Sequence, residues 1–286
     1  MRTMSETLRS AFDRVVRREN RRTAVRRGRV ESIDAFASKI LDNTRNITVY
    51  LPPGYDERPE RRYPVLYMQD GQNLYDPRIA FGGNPWRLDE AADVAIGNRG
   101  AEPMIIVGID NMGEKRADEY TPTRLEDKGV GGCADDYGRM LAEELKPVID
   151  AAYRTIPDPQ HTAIGGSSLG GLLSIYLVLK RPDVFGRAAV MSPSVWWDKR
   201  MILREVDAFR GDSRPRLWVD IGAKEGREAH ADARSLDRVL VANGWNHTNY
   251  RFHEEKKGDH SERSWAYRAP MMLEFLFGSE SLFPER

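Results

Sequence analysis

The sequence predicts an α/β fold in which helices cover both faces of a mostly parallel central sheet. Apolar runs of strand length alternate with amphipathic helical segments along most of the chain, which is typical of parallel strands joined by crossover helices. One such run, residues 104–109, is continuously apolar, as expected for a strand that is covered on both faces. A chain of 286 residues is also long enough to bury a large core without disulfides or metals.

The individual elements follow from apolar periodicity and from the glycine, proline and charged residues that interrupt it. The predicted strands are 29–37, 45–51, 63–69, 104–109, 161–165, 187–191, 216–221 and 248–253. The predicted helices are 85–97, 133–153, 169–180, 229–243 and 261–277. The first two strands are expected to pair antiparallel. The polar segment 110–132 is too long for a plain connector, which indicates that it is functional or partly structured.

Charge divides the chain into two parts although the net charge is zero. Residues 1–29 contain ten arginines and three acidic residues, which gives this segment a charge of +7. We therefore expect a solvated basic extension over residues 1–28 and one α/β domain over residues 29–286. A nucleic-acid contact is an alternative role for the extension, because arginine clusters attract phosphate, but no recognition motif accompanies it. A transit peptide is a third, although the acidic residues count against it.

Cysteine content and hydropathy bear on the compartment. The single cysteine, Cys133, excludes an intrachain disulfide and is compatible with a reducing compartment. No apolar run approaches the roughly 20 residues that span a bilayer. The first thirty residues also lack the long apolar core of a signal peptide. We expect a cytoplasmic protein without membrane or nucleic-acid partners, while an oligomer remains open.

A glycine-rich turn supplies the clearest chemical motif. Residues 166–170 read G-x-S-x-G, with Ser168 at the centre, a predicted strand before it and an apolar helix after it. This strand–turn–helix context is that of a nucleophile elbow. The flanking glycines allow the tight turn, and the helix N-terminus favours developing negative charge at the serine. The motif predicts an α/β-hydrolase with Ser168 as nucleophile; the alternative is a glycine-rich helix cap with a surface serine.

The general base is expected after the serine, because α/β-hydrolases order their catalytic residues as serine, acid and histidine. The loop between the last strand and the last helix contains His260. Loops at the carboxyl ends of parallel strands are where such chemistry is placed, so His260 is the predicted base. The other histidines are His161, His230, His247 and His253.

The acid should follow an earlier strand and orient the histidine. Glu225, in the loop after the strand predicted over 216–221, is the leading candidate. Asp198, after the preceding strand, is the alternative. Asp220 lies inside a strand and is interpreted as a structural buried acid.

The oxyanion hole needs two backbone N–H donors. In this fold they come from the residue after the nucleophile, here Leu169, and from a loop after an earlier strand, where we select Gln72. None of the predicted site residues is assigned to a metal.

Three tryptophans and an arginine are candidates for substrate binding. Trp196 and Trp197 follow the carboxyl end of a strand, where they could form a stacking wall for an acyl or sugar group or pack the loop onto the domain. Trp86 is expected near the same site. Arg116 suits a substrate carboxylate or catecholate, and its alternative role is an ion pair with an adjacent acid of its own segment.

An ordered set of motifs resembles a known family. The set comprises Tyr50-Leu51-Pro52-Pro53-Gly54-Tyr55, Tyr63-Pro64-Val65-Leu66-Tyr67, Asp70-Gly71-Gln72-Asn73, Gly165-Gly166-Ser167-Ser168-Leu169-Gly170-Gly171 and Gly258-Asp259-His260. From about Ser38 to the C-terminus it is similar to the putative esterase family, related to esterase D, feruloyl and acetyl xylan esterases, ferric-siderophore esterases and mycolyltransferases. The resemblance implies an α/β-hydrolase with a Ser–acid–His triad and no cofactor, and it supports Ser168, Glu225 and His260.

The expected function is that of a serine esterase acting on a small-molecule ester through an acyl-enzyme intermediate. The resemblance implies an acyl ester, a feruloyl or acetyl sugar ester, or a siderophore-type lactone as substrate. The alternatives are an acyltransferase that uses the same triad, a noncatalytic binding protein of the same fold, and an adaptor that acts through the basic extension.

Overall fold

The computed structural model of the protein describes residues 27–98, 100–211 and 213–278. Its strands are β1 (Arg29–Ser38), β2 (Asn43–Leu51), β3 (Val65–Gln69), β4 (Ile105–Ile109), β5 (Arg124–Leu125), β6 (Val130–Gly131), β7 (Thr162–Ser167), β8 (Arg187–Met191), β9 (Arg216–Gly222) and β10 (Tyr250–Glu255). Eight of them form one sheet in the order β1-β2-β4-β3-β7-β8-β9-β10. The remaining two, β5 and β6, form a separate short hairpin.

The large sheet is mixed but mostly parallel, as predicted. Only the pairings of β1 with β2 and of β2 with β4 are antiparallel, so the predicted antiparallel opening is confirmed. All pairings from β4 through β10 are parallel. In β1 the register shifts between Ile33 and Phe36, where Ala35 adopts a φ of 57°.

The helices are α1 (Leu88–Gly97), α2 (Arg116–Tyr120), α3 (Ala134–Arg139), α4 (Lys146–Ala152), α5 (Leu169–Lys180), α6 (Trp197–Ala208), α7 (Arg227–Ala242) and α8 (Glu262–Phe277). A π-helical segment, Met140–Leu145, joins α3 to α4. The helix predicted over 133–153 is therefore helical throughout its centre but changes pitch there.

The strands bury side chains on both faces of the sheet. In β3, Val65 and Tyr67 belong to one buried cluster, whereas Leu66 and Met68 belong to the other. The first cluster is completed by residues of α3 to α7, and the second by residues of α1 and α8. Because successive strand side chains point to opposite faces, helices cover both faces of the sheet, which confirms the predicted fold class.

Two regions differ from or refine the prediction. Helix α6 was not predicted, because its sequence is largely polar and buries only a few apolar side chains. After Trp197, its first turn contains Asp198, Lys199 and Arg200, whose φ angles of 40°, 54° and 62° lie in the left-handed region. The segment 110–132 is partly structured, as expected, since it contains α2 and the β5–β6 hairpin.

The basic extension predicted over residues 1–28 lies outside the described residues except for its last two positions, so it stays a prediction. In the part of the chain that the structure describes, no helix has the length and apolar character needed to cross a bilayer.

Candidate active site

The backbone at Ser168 forms a sharp turn between sheet and helix. This residue separates the last residue of β7 from the first residue of α5 and has φ 57° and ψ −119°, a conformation that L-residues rarely adopt. Three backbone hydrogen bonds hold it there. The Ser168 N–H donates to the Met191 carbonyl at 3.0 Å, and the Ser168 carbonyl accepts from the N–H groups of Leu172 and Ser194, each at 3.0 Å. The surrounding structure thus imposes the strained conformation at this residue.

The glycines around Ser168 are required by close packing. A Cβ added at Gly166 would lie 2.9 Å from the carbonyl carbon of Gly170 and 3.0 Å from the Cβ of Gln69. A Cβ at Gly171 would lie 2.9 Å from the Met191 carbonyl oxygen. Since real Cβ atoms essentially never approach within 3.0 Å, larger residues would force the elbow apart.

Residues 192–194 contact both the candidate nucleophile and the candidate acid. In this structure the Ser168 Oγ lies 3.2 Å from the Ser194 Oγ. Two residues earlier, the Ser192 Oγ donates a hydrogen bond of 2.6 Å to Glu225 Oε1. The segment therefore contacts Ser168 at one end and Glu225 at the other.

Glu225 and His260 are joined directly. The His260 Nδ1 lies 2.7 Å from Glu225 Oε2. The glutamate side chain is 1% exposed and the histidine side chain is 47% exposed, so the pair runs from the interior to the surface. The Trp265 ring packs edge-on against the imidazole with centroids 5.0 Å apart. With Nδ1 committed to the carboxylate, Nε2 is the nitrogen left for proton exchange.

Hydrogen bonds keep the buried Glu225 carboxylate ionised. Burial alone would raise its pKa, but hydrogen bonds from His260, from the Ser192 hydroxyl and from the Gly222 N–H together hold the pKa below its usual value. The Gly222 N–H donates to Oε1 at 2.7 Å. Both carboxylate oxygens are therefore occupied, and the group stays negatively charged where an imidazolium would form beside it.

The other acids and histidines considered from sequence lie in different contacts. Asp198 is half-buried in the first turn of α6, where the backbone is left-handed. Among the described residues, Glu225 and not Asp198 supplies the carboxylate that bonds to His260. Asp220 is fully buried and bonded to Trp218 and Arg268, as expected of a structural acid. His161, His230 and His253 pair with Asp158, Glu254 and Glu255, respectively.

The two proposed oxyanion donors lie on adjacent loops. Gln72 is in a single 3-10 turn that follows β3, and its side-chain Oε1 accepts a 3.1 Å hydrogen bond from the Asn111 N–H. Leu169 is the first residue of α5 and lies in the turn after β7, the strand next to β3. A Cβ added at Gly170 would lie 3.2 Å from the Gln69 Cβ, which shows how closely these loops approach.

Arg116 pairs with the loop that follows β3. Its Nε and Nη2 donate to the two oxygens of Asp70 at 2.7 and 2.8 Å, and its guanidinium stacks over Tyr120 at 5.0 Å. The alternative of an ion pair within its own segment is therefore wrong, and Glu119 instead pairs with Arg45. The bidentate bond fixes the half-buried Arg116 guanidinium against Asp70, which lies two residues before Gln72 in the chain.

The three tryptophans differ in exposure. Trp86 and Trp197 are each 3% exposed, whereas Trp196 is 52% exposed. Trp86 packs on Trp265 with centroids 5.7 Å apart, and the Trp197 Nε1 donates to the Thr123 carbonyl at 3.1 Å. Of the three, Trp196 therefore exposes the largest aromatic surface.

Ser168, Glu225 and His260 lie at one edge of the sheet, because they follow β7, β9 and β10, which are parallel and end at that edge. A serine on a strained strand-to-helix turn and a histidine–carboxylate pair at that edge are features of the α/β-hydrolase fold. The molecule therefore has the architecture of an α/β-hydrolase.

Comparison with known proteins defines the group more narrowly. Residues 38–276 match the family model described as Putative esterase, so the chain belongs to that family. The protein is accordingly a carboxylic ester hydrolase, and the resemblance noted from the motifs is confirmed.

Its relatives include uncharacterised proteins and named esterases. The chain is 27% identical to the uncharacterised protein YbbA of Bacillus subtilis over 246 residues, which cover 82% of this chain and 93% of that protein. It is 28% identical to the ferri-bacillibactin esterase BesA of B. subtilis over 59% of this chain and 60% of that protein. It is also 28% identical to the siderophore triacetylfusarinine C esterase of Aspergillus fumigatus, with 65% and 66% covered.

Solved structures show the same fold. The BES protein from Bacillus cereus superposes with a TM-score of 0.71 at 22% identity, covering 87% of this chain and 95% of that one. An IroE-like serine hydrolase from Shewanella oneidensis has a TM-score of 0.70 at 20% identity, with 89% and 80% covered.

Proposed function

We propose that the protein is a serine esterase that hydrolyses a small-molecule ester through an acyl-enzyme intermediate on Ser168. The observation that carries the proposal is the 2.7 Å bond between His260 and a buried, ionised Glu225. Residues 192–194 connect this pair to the strained turn at Ser168. A structural ion pair would not need a strained serine beside it, and strain of this kind is concentrated at functional sites.

The proposed reaction begins with attack of the Ser168 Oγ on the ester carbonyl carbon, while His260 Nε2 takes the hydroxyl proton. Glu225 holds the imidazole in the required tautomer and stabilises the imidazolium that forms. For this step the Ser168 hydroxyl rotates away from Ser194 towards His260. In unliganded enzymes catalytic hydrogen bonds are often long and shorten only when substrate binds.

The tetrahedral intermediate carries a negative oxygen, which we assign to the backbone N–H groups of Leu169 and Gln72. Removal of one such donor typically costs about 100- to 1000-fold in rate. His260 then gives its proton to the departing alcohol, leaving an acyl group on Ser168. Water, deprotonated by His260, attacks this acyl group and releases the acid, which regenerates the free serine.

The rim of the site supports an ester with an aromatic part. Trp196 is an exposed aromatic ring two residues from Ser194, which contacts the nucleophile. Arg116 uses its Nε and Nη2 to bind Asp70, so this proposal rests on Trp196 and not on Arg116. Named relatives act on siderophores, and one is described as a feruloyl esterase. We therefore propose feruloyl esters and siderophore-type lactones ahead of simple acetylated sugars.

The first experiment measures hydrolysis of para-nitrophenyl acetate by the wild type and by Ser168→Ala. The wild type is expected to turn over and the variant to be inactive. Ser235→Ala is the matched control, because that serine is half-buried on α7 and its hydrogen bonds, to the Ala231 carbonyl and from Arg238, stay within that helix. Undiminished hydrolysis by Ser168→Ala would refute the assignment.

The second experiment is a panel of feruloyl, acetylated-sugar, siderophore-lactone and S-formylglutathione esters. The highest kcat/KM is expected for an aromatic or catecholate ester. An added acceptor alcohol distinguishes hydrolysis from acyl transfer, because a transferase would form the new ester in preference to the free acid.

A further inference from the structure

A fully buried polar network lies behind the candidate acid. The Ser192 Oγ has three partners: Glu225 Oε1 at 2.6 Å, Trp265 Nε1 at 2.9 Å and Arg268 Nη2 at 2.8 Å. Two of these partners can only donate, since an indole N–H and a guanidinium have no acceptor atom. A hydroxyl has one proton and two lone pairs, so both lone pairs are filled by donors. The single proton of Ser192 is therefore directed at Glu225.

The position of Arg268 is itself strongly determined. Its side chain is 0% exposed, and a guanidinium in such a place is costly unless carboxylates and hydrogen bonds satisfy it. Nη2 also donates to Asp220 Oδ1 at 3.0 Å, and Nη1 donates to the Ser264 Oγ at 2.9 Å. Asp220 additionally accepts the Ser192 N–H at 3.1 Å. The network thus fixes Ser192 through both its backbone and its hydroxyl.

This arrangement decides which oxygen of Glu225 faces the histidine. Oε1 accepts two hydrogen bonds, from the Ser192 hydroxyl and from the Gly222 N–H. Arg268 Nη2 lies 3.7 Å from the same oxygen. Only Oε2 remains for His260 Nδ1, and the plane of the carboxylate is set by groups on β9, α8 and the loop after β8.

We propose that Ser192 is a positioning residue for the reaction. Its hydroxyl, oriented by Arg268 and Trp265, holds Glu225 so that Oε2 is presented to His260. The inference rests on the proposed function, because it assigns Ser192 a role only if the Glu225–His260 pair is catalytic. Without the hydroxyl, Oε1 loses a donor, Trp265 Nε1 loses its acceptor, and Arg268 Nη2 keeps only Asp220 of its two acceptors. The carboxylate can then rotate away from the histidine.

The expected kinetic effect is on the chemical step. Glu225 contributes most when positive charge develops on His260, so loosening it should lower kcat and leave KM nearly unchanged. Loss of one hydrogen bond to a charged group corresponds to about 10- to 100-fold in kcat.

The test compares Ser192→Ala with Ser192→Gly. Ser192 has a φ of 42°, a left-handed value that glycine adopts without strain. The glycine variant should therefore fold at least as stably as the alanine variant while lacking the same hydroxyl. Both are expected to lose about 10- to 100-fold in kcat with an unchanged KM, whatever their melting temperatures. Ser168→Ala and Ser235→Ala are measured in parallel.

The outcomes separate this inference from the proposed function. Wild-type kcat in Ser192→Gly, with Ser168→Ala inactive, would overturn the role of Ser192 and leave the esterase assignment intact. A loss confined to Ser192→Ala and matched by a lower melting temperature would also overturn it, because that pattern reports a structural role. Full activity in Ser168→Ala would instead remove the proposed function itself.

Discussion

Replacing Ser168 by glycine should stabilise the protein relative to replacing it by alanine. Both substitutions remove the hydroxyl and its 3.2 Å contact with Ser194, so that loss is common to the pair. Alanine keeps a Cβ atom on a backbone with φ 57° and ψ −119°, whereas glycine does not. The three backbone hydrogen bonds to Met191, Leu172 and Ser194 hold this conformation in either variant. The comparison therefore isolates the strain that the turn imposes on a side-chain-bearing residue.

The magnitude follows from two opposing contributions. A sparsely populated backbone conformation costs of order 1–3 kcal/mol, which glycine relieves. Glycine loses about 0.5–1 kcal/mol more conformational free energy on folding than alanine. From the middle of each range, the net difference in free energy of unfolding is about 1 kcal/mol in favour of Ser168→Gly. For a domain of this size that corresponds to roughly 2 °C in Tm.

Urea unfolding followed by tryptophan fluorescence measures the difference directly, and thermal unfolding provides a second estimate. Both variants are expected to be inactive towards para-nitrophenyl acetate, so stability is compared without any catalytic change. If Ser168→Ala were as stable as Ser168→Gly or more so, the strained-turn description of the nucleophile would be refuted.

Two further substitutions test the candidate catalytic acids, and a third tests a half-buried aspartate. Glu225→Gln should lower kcat by about 10³- to 10⁴-fold by removing the charge that faces His260. Asp198→Asn should keep a kcat near that of the wild type. Steady-state kinetics measure both values, and a larger loss in Asp198→Asn would identify Asp198 as the acid. Burial raises the pKa of Asp110 to about 6 despite the nearby Arg45. The folded protein therefore favours the protonated form of Asp110, and its stability falls as the pH rises from about 4 through 6. Asp110→Asn should therefore stabilise the protein at pH 8 by at most about 3 kcal/mol and change it little below pH 4; equal gains in urea unfolding at both pH values would contradict this.

Elements with a strong apolar pattern could be predicted from sequence almost to the residue. The helix expected over 169–180 is Leu169–Lys180, and the strand expected over 104–109 is Ile105–Ile109. Such runs have few alternatives, because their side chains must be buried on both sides. Helix α6 escaped prediction because Met201, Ile202 and Val206 are its main buried apolar residues after Trp197, and its first turn is left-handed.

The residues of the candidate site also differ in whether they could be predicted from sequence. Ser168 and Glu225 could be singled out because each sits at a recognisable place relative to a predicted strand. The roles of Ser192 and Arg268 could not, since these residues lie 76 positions apart and only the folded sheet brings them together. The bond between Asp70 and Arg116 likewise spans 46 residues, which is why neither role considered for Arg116, substrate binding or an ion pair within its own segment, included Asp70.

The central claim is that Ser168 becomes covalently acylated. The most direct measurement is intact-protein mass spectrometry after acid quenching of the reaction with para-nitrophenyl acetate, followed by peptide mapping. We predict one acetyl group per chain, on the peptide that contains Ser168, with far slower labelling in His260→Ala. Steady hydrolysis with the acetyl group on another residue, or with undiminished labelling after Ser168→Ala, would contradict the account.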